Sequence, residues 1–299
     1  MSKEAARRAA LRMVMREDYE PTDDWLEQIN EELRKKDVPH KQRPWDAWME
    51  WSKYAGVSTS LGDEDVKKIF DWFEKNTKAG SQYFGPMYVG SLYYDSCFWR
   101  IIIPVVAGKR TLDASSALRN MPETIKSRLI KDKQEFMQYV AVWVDCIDYA
   151  FEIEGLCNGK NTNTLGQEFF KSGDQQLNAT VTLLHEENPN PKAMESARMA
   201  TEMFLKGFLA SRAGLAEEEA KQKIRHNLEK ALNMCLDFDK NSELQIIPSG
   251  LPCFPEIGDR YKGTDKTPNE LWHGYAIAQF TGATVVRSLT GRDSRKTLR

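Results

Sequence analysis

The sequence holds no CxxC pair, no GxGxxG or Walker A stretch and no HExxH. These gaps leave no sequence basis for a dithiol redox centre, a dinucleotide or P-loop site, or a zincin-type metal centre. The five cysteines, Cys97, Cys146, Cys157, Cys235 and Cys253, are scattered at spacings that fit no zinc pattern. An odd, dispersed set points to reduced thiols used as buried filler and to a cytoplasmic setting. Histidine is scarce, with only His40, His185, His226 and His273, and no carboxylates stand at fixed spacing beside them. No metal and no cofactor is therefore expected. A strong charge of one sign is also missing: the formal net charge is −2. The whole molecule is thus no obvious polyanion binder, and any nucleic-acid contact must come from local patches. Long uncharged apolar runs are absent. The most apolar stretch, residues 86–108, is interrupted by Asp95, Arg100 and Pro104. Charge at the centre of a bilayer is costly, so this stretch predicts a buried helix and no membrane association. The first residues, Met1-Ser-Lys-Glu-Ala-Ala-Arg-Arg, lack an apolar signal region, so no secretory leader is expected.

What is present is a chain of 299 residues, 41% hydrophobic and 29% charged, enough for one large or two medium cores. Residues 3–16 read as a basic terminal helix. Asp23 and Asp24 open a second short helix with acids in its first turn. Trp45, Trp48 and Trp51 fall at spacings of three, near one helical stripe, and read as core. Asp63-Glu64 start a helix with Val66, Ile69, Phe70 and Phe73 on one side. The aromatic and β-branched run at 87–106 fits strand or buried helix. In an otherwise helical chain it is predicted as helix to about Ile103, ended by Pro104. Its Tyr88, Tyr93, Tyr94 and Trp99 suit core, or the wall of a small-molecule pocket. Pro122 is read as a first-turn residue of the longest helix, which Gly155 would stop. Residues 155–165, rich in Gly and Asn, read as the linker between a helical domain at 1–155 and a second domain at 166–290, followed by a basic tail at 291–299.

The second half is regularly helical. Helices are predicted at about 166–186, 192–213, 226–239 and 268–290, with Gly214 and Gly291 as stops. His185 ends the first of these, where the helix dipole favours a protonated imidazole. Arg287, Arg292, Arg295, Lys296 and Arg299 could track a phosphate backbone or lie solvated. Glu202 and Lys206 form an i,i+4 pair in the favourable order. Read alone, they make a surface salt bridge worth a few tenths of a kcal/mol, so about 0.3 kcal/mol. At a subunit interface they could orient a neighbour.

Three stretches carry a family resemblance. Gln175, Gln176 and Leu177 precede Leu183-Leu184 on the opening helix. Ala200-Thr-Glu-Met-Phe-Leu-Lys-Gly-Phe-Leu follows, and then His226-Asn-Leu with Leu232. In this order they resemble the HEPN family over residues of about 165–290. The resemblance implies an all-α fold in which a helical N-terminal domain precedes an up-and-down helical bundle, usually dimeric. It also implies RNA as a partner, a prokaryotic defence or toxin–antitoxin context, and for many members a metal-independent ribonuclease. In that family an arginine stands four to six residues ahead of a histidine. Here the histidine is His226, and the three registers hold Lys221, Ala220 and Glu219, with Arg225 adjacent. Lysine supplies charge without the bidentate fork of arginine. The candidate catalytic set is His226, Arg225 and Lys221, and the candidate nucleic-acid-binding set is Glu202, Lys206 and Arg198. Two readings remain: a protein acting on or binding RNA with a degenerate ribonuclease motif, or a non-enzymatic dimeric interaction module that meets a protein partner through residues 1–155.

Overall fold

The computed structural model describes residues 20–55, 63–79, 86–105, 112–240, 243–255, 258 and 265–297. The basic helix expected at 3–16 lies outside the described residues, as does Arg299. The chain divides into two compact units, Met1–Gly85 and Pro86–Arg299. The structure is mostly helical, with a single two-stranded sheet among the described residues. No helix of the described residues is long and apolar enough to cross a membrane.

In the first unit, α1 (Asp23–Lys35), α2 (Arg43–Ala55) and α3 (Glu64–Asn76) pack on one another. Thr22 caps α1 by accepting from the Trp25 amide at 3.3 Å, and Asp23 and Asp24 oppose the positive helix end. Leu26, Ile29 and Leu33 on α1 meet Val66, Ile69 and Phe73 on α3 in a closed core. The tryptophan stripe joins that core as expected. Trp51 is buried, and Trp45 and Trp48 set their rings edge-on to Phe70 at 5.5 and 6.2 Å.

The second unit opens with a hairpin, where the sequence predicts a helix. β1 (Tyr88–Tyr94) pairs antiparallel with β2 (Cys97–Ile103), Leu92 opposite Trp99 and Tyr88 opposite Ile103. Asp95 and Ser96 both take positive φ, 53° and 61°. That is the backbone a two-residue hairpin turn demands. The β-branched residues then satisfy a pleat better than a helix. The predicted longest helix is also two helices, α4 (Glu123–Lys131) and α5 (Lys133–Cys157). Pro122 precedes α4. Asp132 breaks the run and caps α5 by accepting from the Gln134 and Glu135 amides. Gly155 lies inside α5, which runs two residues further.

α6 (Thr164–Leu184), α7 (Ala193–Ala213) and α9 (Pro268–Thr290) complete a helical layer with α5. α8 (Leu228–Phe238) packs on α7. The division expected at 155–165 therefore lies elsewhere. Those residues make a tight connection within one unit: Asn163 accepts from the Gly166 amide and donates to the Ala210 carbonyl, and Asn161 donates to the Leu289 carbonyl. A single buried core runs from Tyr88 on the hairpin to Leu289 on α9. α6 and α7 approach closely through paired glycines. A Cβ on Gly207 would meet the Phe170 ring at 2.7 Å, and one on Gly173 would meet Phe204 at 2.7 Å. Each ring fills the notch opposite it, as close-packed interiors require.

The helix stops at Gly214 and Gly291 are as expected, in left-handed backbone at φ 66° and 76°. The basic tail differs from a solvated or phosphate-tracking segment. Arg287 is buried and grips Asp148 at 2.7 Å and Asp145 at 2.5 Å, while Arg295 pairs with Asp293 and Glu243.

Candidate functional site: a histidine on a buried carboxylate

Arg198, Glu202 and Lys206 recur every four residues on α7 and share one face. That face is inside the unit. Glu202 is fully buried, and Arg198 and Lys206 are nearly so. The surface salt bridge expected for Glu202 and Lys206 is instead a buried one, with Nζ of Lys206 2.7 Å from Oε1 of Glu202. Burying a carboxylate is costly unless its oxygens are filled. Here they are: Lys206 takes one oxygen, Arg198 lies 3.5 Å from the other, and Nδ1 of His226 sits 3.1 and 3.3 Å from the two.

The same cations pin the chain that carries the histidine. Lys206 donates to the Arg225 carbonyl at 2.6 Å, and Arg198 donates to the His226 carbonyl at 2.7 Å. Arg225 holds φ 53° and ψ −113°, a conformation that favours glycine. Such a residue costs about 1–3 kcal/mol and persists where its surroundings over-determine it. The two buried cations supply that determination. Asn227 follows, capping α8 by accepting from the Lys230 amide at 2.8 Å, so His226 stands just ahead of a helix N-terminus. That is an electropositive position with free amides.

The imidazole is both anchored and open. Its side chain is 54% exposed although its partner Glu202 is 0% exposed. Nδ1 faces the carboxylate, and Nε2 has no protein partner among the described residues. His226 lines a cavity of about 860 Å³. Arg198, Arg225 and His226 line one wall, while Leu232, Leu251 and Phe254 form an apolar one. A carboxylate-held imidazole beside guanidinium groups can take a proton from a bound hydroxyl and steady the negative charge that follows. Among the described residues, no group of three or more His, Cys, Asp or Glu is arranged to hold a metal ion.

Five of the six residues predicted for the site therefore come together: Arg198, Glu202, Lys206, Arg225 and His226. Their roles differ from the prediction. Glu202 is fully buried, so its carboxylate faces His226 and the two cations and not the surface. Lys206 is spent on Glu202 and the Arg225 carbonyl. Lys221 does not join them; its ammonium pairs with Glu217 at 2.5 Å on the surface. The physical reason is the π-turn Ala220–Ile224, which shifts the register between Lys221 and His226 away from that of a regular helix. The apolar wall at residues 251–255 was missed, because a proline-rich loop carries no periodicity to reveal which side chains turn inward.

His185 also departs from expectation. Burial, with Arg100 nearby, pushes its imidazole down to about 4, so it is neutral at pH 7 and not the protonated group that the helix end alone would favour.

Comparison with protein-family models, with curated proteins and with solved structures finds no match.

Proposed function

We propose that this chain is an RNA-directed protein whose second unit is a HEPN-like module, with His226 as the proton-transferring group of a metal-independent ribonuclease. The observation that carries the reading is the exposed imidazole of His226 held through Nδ1 by the buried Glu202, at a cavity lined by Arg198 and Arg225. RNA brings its own nucleophile. Nε2 accepts the 2′-hydroxyl proton as that oxygen attacks the adjacent phosphorus. Arg225 offsets the charge that builds on the phosphoryl oxygens, and the 5′-oxygen departs with the bonding pair and takes a proton from water, leaving a 2′,3′-cyclic phosphate and a 5′-hydroxyl, after which the imidazolium returns its proton to solvent. Arg225 thus takes the electrostatic part assigned by spacing to Lys221. The reading includes a homodimer acting in a prokaryotic defence or toxin–antitoxin setting, as the resemblance implies.

The test is incubation of the full chain with tRNA and total RNA in EDTA, beside His226→Ala. The expected result is fragments with cyclic phosphate ends, formed about 10²–10⁴-fold more slowly by the variant. If the wild type leaves all RNA intact, the nuclease reading is abandoned. Salt-sensitive retention of RNA on a filter then decides whether binding alone survives. The second reading, a non-enzymatic dimeric interaction module, is favoured by one observation: Lys221, at the family's arginine position, is paired with Glu217 away from the cavity.

A further inference from the structure

The His226 cavity, of about 860 Å³, is larger than a phosphate alone requires. Its size is that of a small-molecule site, roughly 300–1,000 Å³. Beyond Arg198, Arg225 and His226 it is lined by two further sets of side chains. One is apolar: Leu232 and Phe254 are buried, and Leu251 and Pro255 are half-buried beside them. The other is polar: Glu229 and Asn233, both on α8 and both exposed. Residues four apart share one helical face, with Cβ atoms about 5–6 Å from each other. Leu232 lies three positions beyond Glu229 on the same side. One face of α8 thus brings a carboxylate, an amide and an apolar side chain to the wall of one cavity.

Neither set suits a phosphate. The sugar–phosphate chain is polar along its length and gains little from an apolar wall, whereas a base has faces that do gain. A carboxylate repels a phosphate. Glu229 forms no ion pair among the described residues, although Arg198 and Arg225 line the same cavity. Its oxygens are therefore free to accept from the neutral donors of a base.

The bases differ in the donors they offer. Adenine and cytosine each present an amino group, and uracil a ring N–H. Guanine presents a ring N–H and an amino group side by side, and that pair matches the two oxygens of one carboxylate. Next to them guanine carries O6, an acceptor that the amide of Asn233 can fill.

We propose that the wall beside His226 is a guanine subsite, a reading that rests on the RNA-directed function above and names its substrate. The base lies against Leu232, Leu251 and Phe254. Glu229 accepts from its N1–H and its 2-amino group, and Asn233 donates to O6. The 3′-phosphate of that nucleotide then meets His226 and Arg225, so cleavage falls on the 3′ side of guanosine. The edge that Glu229 reads is the one a paired guanine gives to cytosine, so the guanosine is unpaired. Glu229 and Asn233 set specificity and transfer no proton.

The experiment is calorimetric titration of the full chain with the 3′-monophosphates of guanosine, inosine, adenosine, cytidine and uridine, which needs no cleavage. The guanosine nucleotide is expected to bind about tenfold or more tightly than those of adenosine, cytidine and uridine, with inosine, which lacks the 2-amino group, in between. Glu229→Gln keeps the size of an exposed side chain. It is expected to bring guanosine to within about threefold of the other bases. Leu251→Ala is expected to weaken every nucleotide while keeping the order. The proposal is overturned if no nucleotide binds, if all bind alike, if another base is preferred, if inosine matches guanosine, if Glu229→Gln keeps the preference, or if Leu251→Ala changes no affinity. Digestion of an unpaired RNA holding all four bases separates the two readings. Cleavage without preference for guanosine removes the subsite and leaves the ribonuclease. Selective guanosine binding by a chain that cuts no RNA removes the ribonuclease and leaves the subsite.

Discussion

Two buried ion networks lie in the second unit, and they are put to different uses. On α7, Glu202 gathers Arg198, Lys206 and His226. Between α5 and α9, Arg287 gathers Asp145 and Asp148, and the tail closes over them as the Ser294 amide donates to Asp148 at 3.0 Å. In the second network the three central groups are closed, with side-chain exposures of 6% for Arg287, 0% for Asp148 and 12% for Asp145, and the more open groups at its edge, Glu243 and Arg292, include no imidazole. In the first, the carboxylate is sealed but the imidazole it holds is half open and lines a cavity. The first network also holds Arg225 in a backbone that a side chain rarely adopts, while no residue of the second has positive φ. Buried charge alone therefore does not mark a site. What marks it is a proton-carrying group that the buried charge orients and the surface leaves accessible.

This contrast predicts that both networks matter for stability and only one for activity. Arg287→Ala leaves Asp145 and Asp148 buried without their cation. It is expected to cost about 3–5 kcal/mol in urea unfolding while sparing the His226 chemistry in whatever fraction remains folded. A loss of activity larger than the loss of folded protein would break the distinction. Gly207→Ala tests the scaffold beneath the site. Its methyl would press on the Phe170 ring, and a loss of about 1–3 kcal/mol is expected.

The pH dependence is next in size. The His185 imidazole is held at about 4, below the ordinary 6.5 for histidine. As pH falls, the unfolded chain takes up this proton first. Stability is therefore full above 6.5 and is lost as pH falls toward 4. Allowing for solvent screening of a partly open group, the difference between wild type and His185→Asn across that window should be up to about 2 kcal/mol. Equal pH profiles for the two proteins would remove this account of His185. Asn227→Ala removes the cap of α8 just behind His226 and is expected to cost about 1 kcal/mol. Lys221→Ala is the smallest effect: stability and RNA cleavage are both expected to match the wild type, because its ammonium pairs with Glu217 on the surface.

The sequence made much of the second unit legible. Gly214 and Gly291 are local signals that need no tertiary context, and two helices end on them. The hairpin was not legible. Tyr, Val and Ile in an apolar run suit a buried helix as well as a strand, and the deciding turn, Asp95-Ser96, lacks the glycine that would announce it. The site was half legible. Spacing brought Arg198, Glu202 and Lys206 to one helical face, but an i,i+4 pair reads the same on a surface as in a core. Only the packing of the 225–227 segment over α7 shows that Glu202 is sealed. Lys221 comes into the candidate set by the spacing of the family's arginine from its histidine, and spacing alone does not show that its ammonium turns to Glu217 on the surface.

The most direct measurement is the rate of RNA cleavage in EDTA by Glu202→Gln, with its fold verified by circular dichroism and with His226→Ala and the double variant alongside. If the buried carboxylate works by orienting His226, Glu202→Gln slows cleavage by about 10²-fold without loosening RNA binding, and the double variant is no slower than His226→Ala alone. A folded Glu202→Gln protein that cleaves at the wild-type rate, or a double variant slower by the product of the two single losses, would contradict the account.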